Sequence, residues 1–185
     1  GVLEVRGMTV PSKVHKNNAV KDVSLEVRAG EIVCLAGIEG NGQTEFVQAL
    51  TGLEKMSAGR IRLNGKDISA ASIRERAMTG MSHIPEDRHK HGLILDYTLE
   101  ENLVLQLYHE REFQRDGFIR KDAVRSYAEK LIDKYDVRSG QGPLTIVRSM
   151  SGGRGSAISV AMKNSMSESR CHHRNERASA IAMLR

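Results

Sequence analysis

The sequence predicts an α/β fold, with strands in its first part and a helix-rich stretch over 98–136 that reads as a helical insertion. Three observations carry this. Val23, Leu25 and Val27 alternate with Asp22, Ser24, Glu26 and Arg28, the pattern of a half-buried strand. A continuous apolar run over 31–36 stops at a glycine cluster and is followed by apolar residues at helical spacing. Two capping boxes, Ser72-x-x-Glu75 and Thr98-x-x-Glu101, open helices further on.

The elements follow in order. Residues 2–6 alternate weakly and read as a strand, and the polar stretch 11–19 reads as a loop. The strand over 23–27 ends at Ala29-Gly30, and 31–36 is expected to be a buried strand. After Gly37, Gly40 and Gly42, a helix presents Phe46, Val47, Leu50 and Leu53, with Gly52 near its end. Ile61 and Leu63 alternate with arginines, and Asn64-Gly65 signals a hairpin turn. A short helix opens at Ser72, and 81–84 reads as a short strand closed by Pro85. The helix opening at Thr98 is expected to bury Leu103, Leu105 and Leu107 or their neighbours. Residues 109–120 are charged and read as a surface connector. Val124, Tyr127, Ala128, Leu131, Ile132 and Tyr135 mark a third amphipathic helix. Past Gly153 the periodicity fails, and only 155–164 suggests a helix.

Composition bounds the function. The chain has 185 residues, 28 Lys+Arg against 23 Asp+Glu, a formal charge of +5, 39% apolar and 28% charged residues. That suits one soluble domain with a real core. No apolar stretch approaches the roughly 20 residues of a membrane span. The first residues read as a strand, so no secretory leader is expected. Cys34 and Cys171 are too few for a disulfide scaffold and lack metal-ligand spacing, which makes a reducing cytoplasm the default. The charge divides unevenly: 1–153 hold 22 basic and 21 acidic side chains, whereas 154–185 hold 6 basic and 2 acidic. The basic surplus therefore sits in a short tail. No aromatic platform accompanies it, so a nucleic-acid partner is not expected.

Two motifs carry chemistry. Phosphates bind where backbone N–H groups line a concave loop at a helix N-terminus, and glycines allow that path. The loop Gly37-Ile38-Glu39-Gly40-Asn41-Gly42-Gln43-Thr44 places glycines at both ends of the G-x-x-x-x-G-K-[ST] pattern and Thr44 at its hydroxyl position. Gln43 stands where the pattern has Lys, so a neutral donor replaces a positive charge. A tight glycine turn that binds nothing is the bland reading of the same residues. Downstream, Ser151-Gly152-Gly153 combines a hydroxyl with glycine amides; alone it reads as a flexible linker. His172-His173 has no third ligand and is weak evidence for a metal.

The motifs "AVKDVSLEVRAGEIVCLAG", "GIEGNGQTE", "FVQALTGL", "SAGRIRLNGKDI", "IPEDRHKHGLI" and "MSGG" occur in one order over residues 2–153. Together they resemble the nucleotide-binding domain of ABC transporters. More narrowly they resemble the C-terminal cassette of dual-cassette importer ATPases for sugars or nucleosides, with the nucleoside type slightly preferred for its "GNGQ". The resemblance implies a P-loop NTPase-like α/β fold with an antiparallel β subdomain and a helical subdomain over about 90–150, incomplete at its C-terminus. It implies that Gly37, Glu39, Gly40, Asn41, Gly42, Gln43, Thr44 and Glu45 bind ATP, with Thr44 meeting Mg²⁺. Glu86 falls at the Q-loop position, where a bland reading is a solvated turn with an ion pair. Ser151, Gly152 and Gly153 fall on the signature that completes the opposite cassette's site. The implied partners are a second cassette, in the same chain or another, and membrane permease subunits near 86–118. The implied location is peripheral, on the cytoplasmic face of a bacterial-type plasma membrane.

The chain also departs from that pattern. No aromatic stands in 11–20 to stack adenine, and His15 is the nearest ring. After Gly153 the expected Walker B strand, D-loop and His switch are missing. Residues 168–174 admit codons whose +1 frame resembles the Walker B sequence, so 154–185 reads as an atypical basic tail, out of frame. Gly1 in place of Met suggests an excised fragment or a residual tag. Two rivals stand beside the transporter reading: a frameshifted remnant without function, and a P-loop NTPase of another class.

Overall fold

The computed structural model describes residues 2–12, 17–38, 40–85, 91–150 and 158, and the backbone of 180–184. Two compact units emerge, Gly1–Met81 with Cys171–Arg185, and Ser82–Arg170.

In the first unit, alternation of apolar and polar side chains builds an antiparallel sheet of order β2-β1-β4-β5. Strand β1 (Leu3–Pro11) lies between β2 (Asn18–Val27) and β4 (Ala58–Leu63), and β5 (Lys66–Asp67) follows β4. Leu3 pairs with Val27 on one side and Leu63 on the other. A bulge between Val5 and Met8 shifts the register, with Gly7 at φ 61°. The extra residue changes the phase of the alternation, so that Leu3, Val5, Met8 and Val10 are all buried. This bulge lets β1 run to Pro11, beyond the expected 2–6, and shortens the expected loop over 11–19. Asn64 (φ 50°) and Gly65 (φ 77°) make the left-handed hairpin turn that their sequence signalled.

Helix α1 (Gln43–Thr51) packs Phe46, Ala49 and Leu50 into the same core. Leu53 lies past the helix end and is exposed. Helix α2 (Ile73–Met78) starts with the expected capping box.

Strand β3 (Ile32–Ala36) forms where predicted, but its burial is not what its composition suggests. Ile32 is 76% exposed, and the strand alternates between exposed and half-buried positions. A central parallel strand is buried when helices and strands cover it on both sides. Among the described residues, β3 pairs only with β8 (Ala180–Leu184), in parallel, with Ile32 opposite Ala180 and Ala36 opposite Leu184. Thus part of the stretch expected to be weakly ordered is a strand. Conversely, the expected strand over 81–84 is not formed: these residues join no ladder, and a strand needs a partner for its backbone groups.

The second unit is helical. Helix α3 (Leu99–Val104) and helix α4 (Lys121–Lys134) carry a core of Leu93, Leu99, Leu103, Ala128, Leu131, Val137, Val147, Met150 and Ile158. Leu99 and Leu103 are fully buried, each contributing about 1.5–3 kcal/mol. Leu107 is buried too, and Leu105 is half-buried. Glu100 pairs with Arg125 across α3 and α4. The connector over 109–120 is more ordered than its charge suggested. It contains a small hairpin, β6 (Gln114–Arg115) and β7 (Phe118–Ile119), turning at Asp116 and Gly117, both at positive φ. Phe113 anchors it edge-on to Tyr127 at 4.9 Å. Ile158 is helical and buried; the rest of the expected helix over 155–164 lies outside the described residues.

Candidate nucleotide site

Strand β3 delivers the chain to Gly37, and a turn follows in which Asn41 N–H donates to the Ile38 carbonyl at 3.3 Å. Gly40 (φ 88°) and Gly42 (φ 90°) take left-handed conformations that a side chain disfavours. At Gly42 space matters as well. A Cβ there would lie 2.3 Å from the Ala19 carbonyl oxygen, so the helix start is seated directly on the beginning of β2. At Gly37 a Cβ would lie 2.1 Å from the Gln43 amide. The Gln43 side chain therefore folds back across the loop and rests on Gly37.

Helix α1 begins without a side-chain cap, because its N-cap is Gly42. Its ladder starts with Phe46 N–H donating to the Gly42 carbonyl at 2.8 Å. The N–H groups before Phe46 stand outside that ladder, at the positive end of the helix dipole. Gly40, Asn41 and Thr44 are exposed around them, and Gln43 and Glu45 are half-buried. The loop thus offers backbone donors, glycine-lined access and the exposed Thr44 hydroxyl, but no side-chain cation. That set suits a polyphosphate bound by amides. A magnesium ion accompanying such a ligand would keep several waters, and the Thr44 hydroxyl would be an oxygen the loop could offer it. No group of three or more His, Cys, Asp or Glu that could hold a metal ion occurs among the described residues.

Two residues that sequence reasoning did not single out fasten segments, one within each unit. Arg76 is only 4% exposed and bonds the carbonyl oxygens at the far end of α1; burial pushes its pKa below the ordinary guanidinium value. In the helical unit, buried Asn102 accepts from Ile94 N–H at 2.8 Å and donates to the Ile94 and Thr98 carbonyls, both at 3.0 Å. It fastens the segment before α3. Residues 145–148 run beside that segment. Leu99 N–H donates to the Thr145 carbonyl at 2.9 Å, Arg148 N–H to the Leu95 carbonyl at 2.8 Å, and Arg148 Nε to Asp96 at 2.7 Å. That charged bond holds the Asp96 carboxyl below and the Arg148 guanidinium above their ordinary pKa values. The approach to Ser151 is therefore tied to the segment that leads into α3. Nothing in composition marks an Asn in a helix as the fastener of a loop; the signal available was only its place four residues after Thr98.

The residues Gly37, Gly40, Asn41, Gly42, Gln43, Thr44 and Glu45 lie together in the loop and first turn of α1. Glu39, His15, Glu86, Ser151, Gly152, Gly153 and the His172-His173 pair lie outside the described residues.

A strand, a glycine loop and an uncapped helix, beside an antiparallel sheet and with a separate helical unit, define a P-loop nucleotide-binding domain. The family model for ABC transporters matches residues 20–169, and the chain belongs to that family. The guanosine import ATP-binding protein NupO of Bacillus subtilis is 44% identical over 152 residues, which is 82% of this chain and 29% of that protein. The nucleoside import ATP-binding protein NupA of Lactococcus lactis is 43% identical over 152 residues, 82% of this chain and 30% of that protein. The ribose import ATP-binding protein RbsA of Corynebacterium glutamicum is 37% identical over 63% of this chain and 22% of that protein. The chain thus spans under a third of the length of these curated relatives. The fold is that of the ATP-binding cassette MJ0796 in its dimeric, post-hydrolysis state bound to ADP and Pi. The TM-score is 0.69 at 15% identity, covering 98% of this chain and 87% of that one. No helix among the described residues is long and apolar enough to cross a membrane.

Proposed function

We propose that the chain is the nucleotide-binding and coupling part of an importer for nucleosides or sugars, and that it binds Mg·ATP through residues 37–45 with little hydrolysis of its own. The observation that carries this reading is the uncapped, glycine-cradled start of α1 with the Gln43 amide lying across it. The phosphates take the first-turn N–H groups, Thr44 meets the magnesium, and Gln43 donates a neutral hydrogen bond where a lysine would bring charge. Phosphoryl transfer needs that charge countered at the β- and γ-phosphates, so Gln43 favours binding over turnover. Similarity to NupO and NupA favours nucleosides over sugars. Glu86 serves the Q-loop role, and Ser151, Gly152 and Gly153 complete the site of an opposing cassette. That cassette and the permease subunits are the expected partners, at the cytoplasmic face of a plasma membrane. Residues 1–153 form the cassette portion and 154–185 a basic tail.

Two measurements test this. The purified chain is expected to retain Mg·ATP, and Thr44→Ala to erase the difference between affinities with magnesium and with EDTA. In the assembled importer with its companion site blocked, Gln43→Lys is expected to raise turnover on the order of tenfold or more. A turnover unchanged by Gln43→Lys would overturn the weakly hydrolytic role.

A further inference from the structure

Arg76 is a buried cation whose four described acceptors are all backbone carbonyls. Its Nε donates to the Ala71 carbonyl at 2.9 Å and Nη2 to the Ser69 carbonyl at 3.0 Å. Nη1 donates to the Ala49 and Leu50 carbonyls, at 3.1 and 2.7 Å. Those two carbonyls belong to the last turn of α1, where orphan acceptors and the negative end of the dipole favour a cation. The same turn is closed from other directions. Thr51 Oγ1 donates to the Val47 carbonyl at 2.8 Å, and Leu53 N–H donates to the Gln48 carbonyl at 2.8 Å. Gly52 makes room, since a Cβ there would lie 2.9 Å from Arg76 Nε.

The guanidinium therefore ties the end of α1 to two other segments, the Ser69–Ala71 turn and α2. Helix α1 is nine residues long, and the phosphate-facing N–H groups sit at its other end. A short rigid helix fixed at one end places its other end, and an anion site of backbone dipoles works only if those dipoles are held in place. We infer that Arg76 is a positioning residue for nucleotide: it anchors the loop helix and so sets the aim of the first-turn N–H groups. This rests on the reading of 37–45 as a nucleotide site.

The test compares three variants of the full chain by amide hydrogen exchange and by Mg·ATP affinity. Arg76→Met keeps the side-chain bulk and removes every donor. It is expected to speed exchange in α1, relative to β1, on the order of tenfold and to weaken Mg·ATP by a similar factor. Arg76→Lys, which restores one ammonium, is expected to recover part of both, and it carries the test if Arg76→Met does not fold. Ile61→Val thins the same core without removing a donor from α1; it is expected to leave affinity within about twofold. Loosening spread evenly over α1 and β1, or a loosened α1 with full Mg·ATP affinity, would overturn the inference. If the unaltered chain retains no Mg·ATP, the nucleotide reading falls instead, and α1-selective exchange still decides whether Arg76 is the anchor.

Discussion

Helices α2 and α3 close their own first turns, and α1 does not. At α2, Ser72 Oγ accepts from Glu75 N–H, and Glu75 returns the bond by accepting from Ser72 N–H at 2.7 Å. At α3, Thr98 and Glu101 do the same. In each of these two helices the cap hydroxyl closes the N–H of the third helical residue, and the glutamate there closes the N–H of the cap. Helix α1 spends its stabilising chemistry at the opposite end, on Arg76, Thr51 and Gly52, and opens on a glycine. Helix α4 also lacks a side-chain cap, but no glycine cluster leads into it. An uncapped end becomes a candidate site only when the chain before it curves around a space.

The largest effect is expected from filling that space. Gly42→Ala combines a left-handed backbone with a Cβ 2.3 Å from the Ala19 carbonyl, and the obstacle is backbone that cannot swing aside. A loss of about 2–4 kcal/mol in urea unfolding is expected, with Mg·ATP binding abolished. Gly40→Ala meets nothing within 4 Å and faces only the backbone strain. Its expected cost is about 1–2 kcal/mol. Equal losses at the two glycines would mean that the seat on Ala19 contributes nothing.

The sequence made the open end of α1 legible because glycine spacing is a direct record of backbone conformation. The capping boxes were legible for the same reason: both partners lie within four residues. The locked end was not. Hydropathy would bury Ile73 and expose Arg76 on α2, yet Ile73 is 52% exposed and Arg76 is buried. The carbonyls that draw Arg76 inward come from Ala49 and Leu50, more than twenty residues away, and carbonyls carry no sequence signal. The exposure of β3 was hidden likewise, because burial of a strand depends on what covers it. The phase shift at Gly7 was concealed as well: a bulge shows only as an alternation that seems to fade.

An intermediate effect is expected from removing the caps. Thr98→Ala and Ser72→Ala each delete one acceptor for a first-turn N–H, at a cost of about 1 kcal/mol. Thr98→Ala is expected to be the costlier, because the residue its cap seats, Leu99, is fully buried, whereas Ile73 after Ser72 is exposed. Neither substitution should change Mg·ATP affinity by more than about twofold, since neither residue lies on the loop. A cap variant that weakened nucleotide as much as it weakened folding would erase the distinction between closed and open helix starts.

The smallest effect, and the most selective, comes from acid. Hydrogen bonds from the Ser72 N–H and hydroxyl hold the Glu75 carboxyl below its ordinary value of 4.5. Unfolding removes those donors, so the folded pKa lies below the unfolded one. The contribution to stability is therefore complete above about pH 4.5 and is lost as pH falls through the folded value. Asp67, held low by Ser69, and Asp96, held low by Arg148, add to the same acid-side loss. Glu75→Gln removes the ionisation while keeping the shape, so its urea midpoint is expected to fall less steeply than that of the unaltered chain between pH 6 and pH 3. The start of α1 depends on backbone amides, which do not titrate there, so its glycine seat should persist to lower pH than the capped start of α2. Amide exchange measured across that range would show α2 fraying first; fraying of α1 ahead of α2 would place a titrating group in the loop's own support.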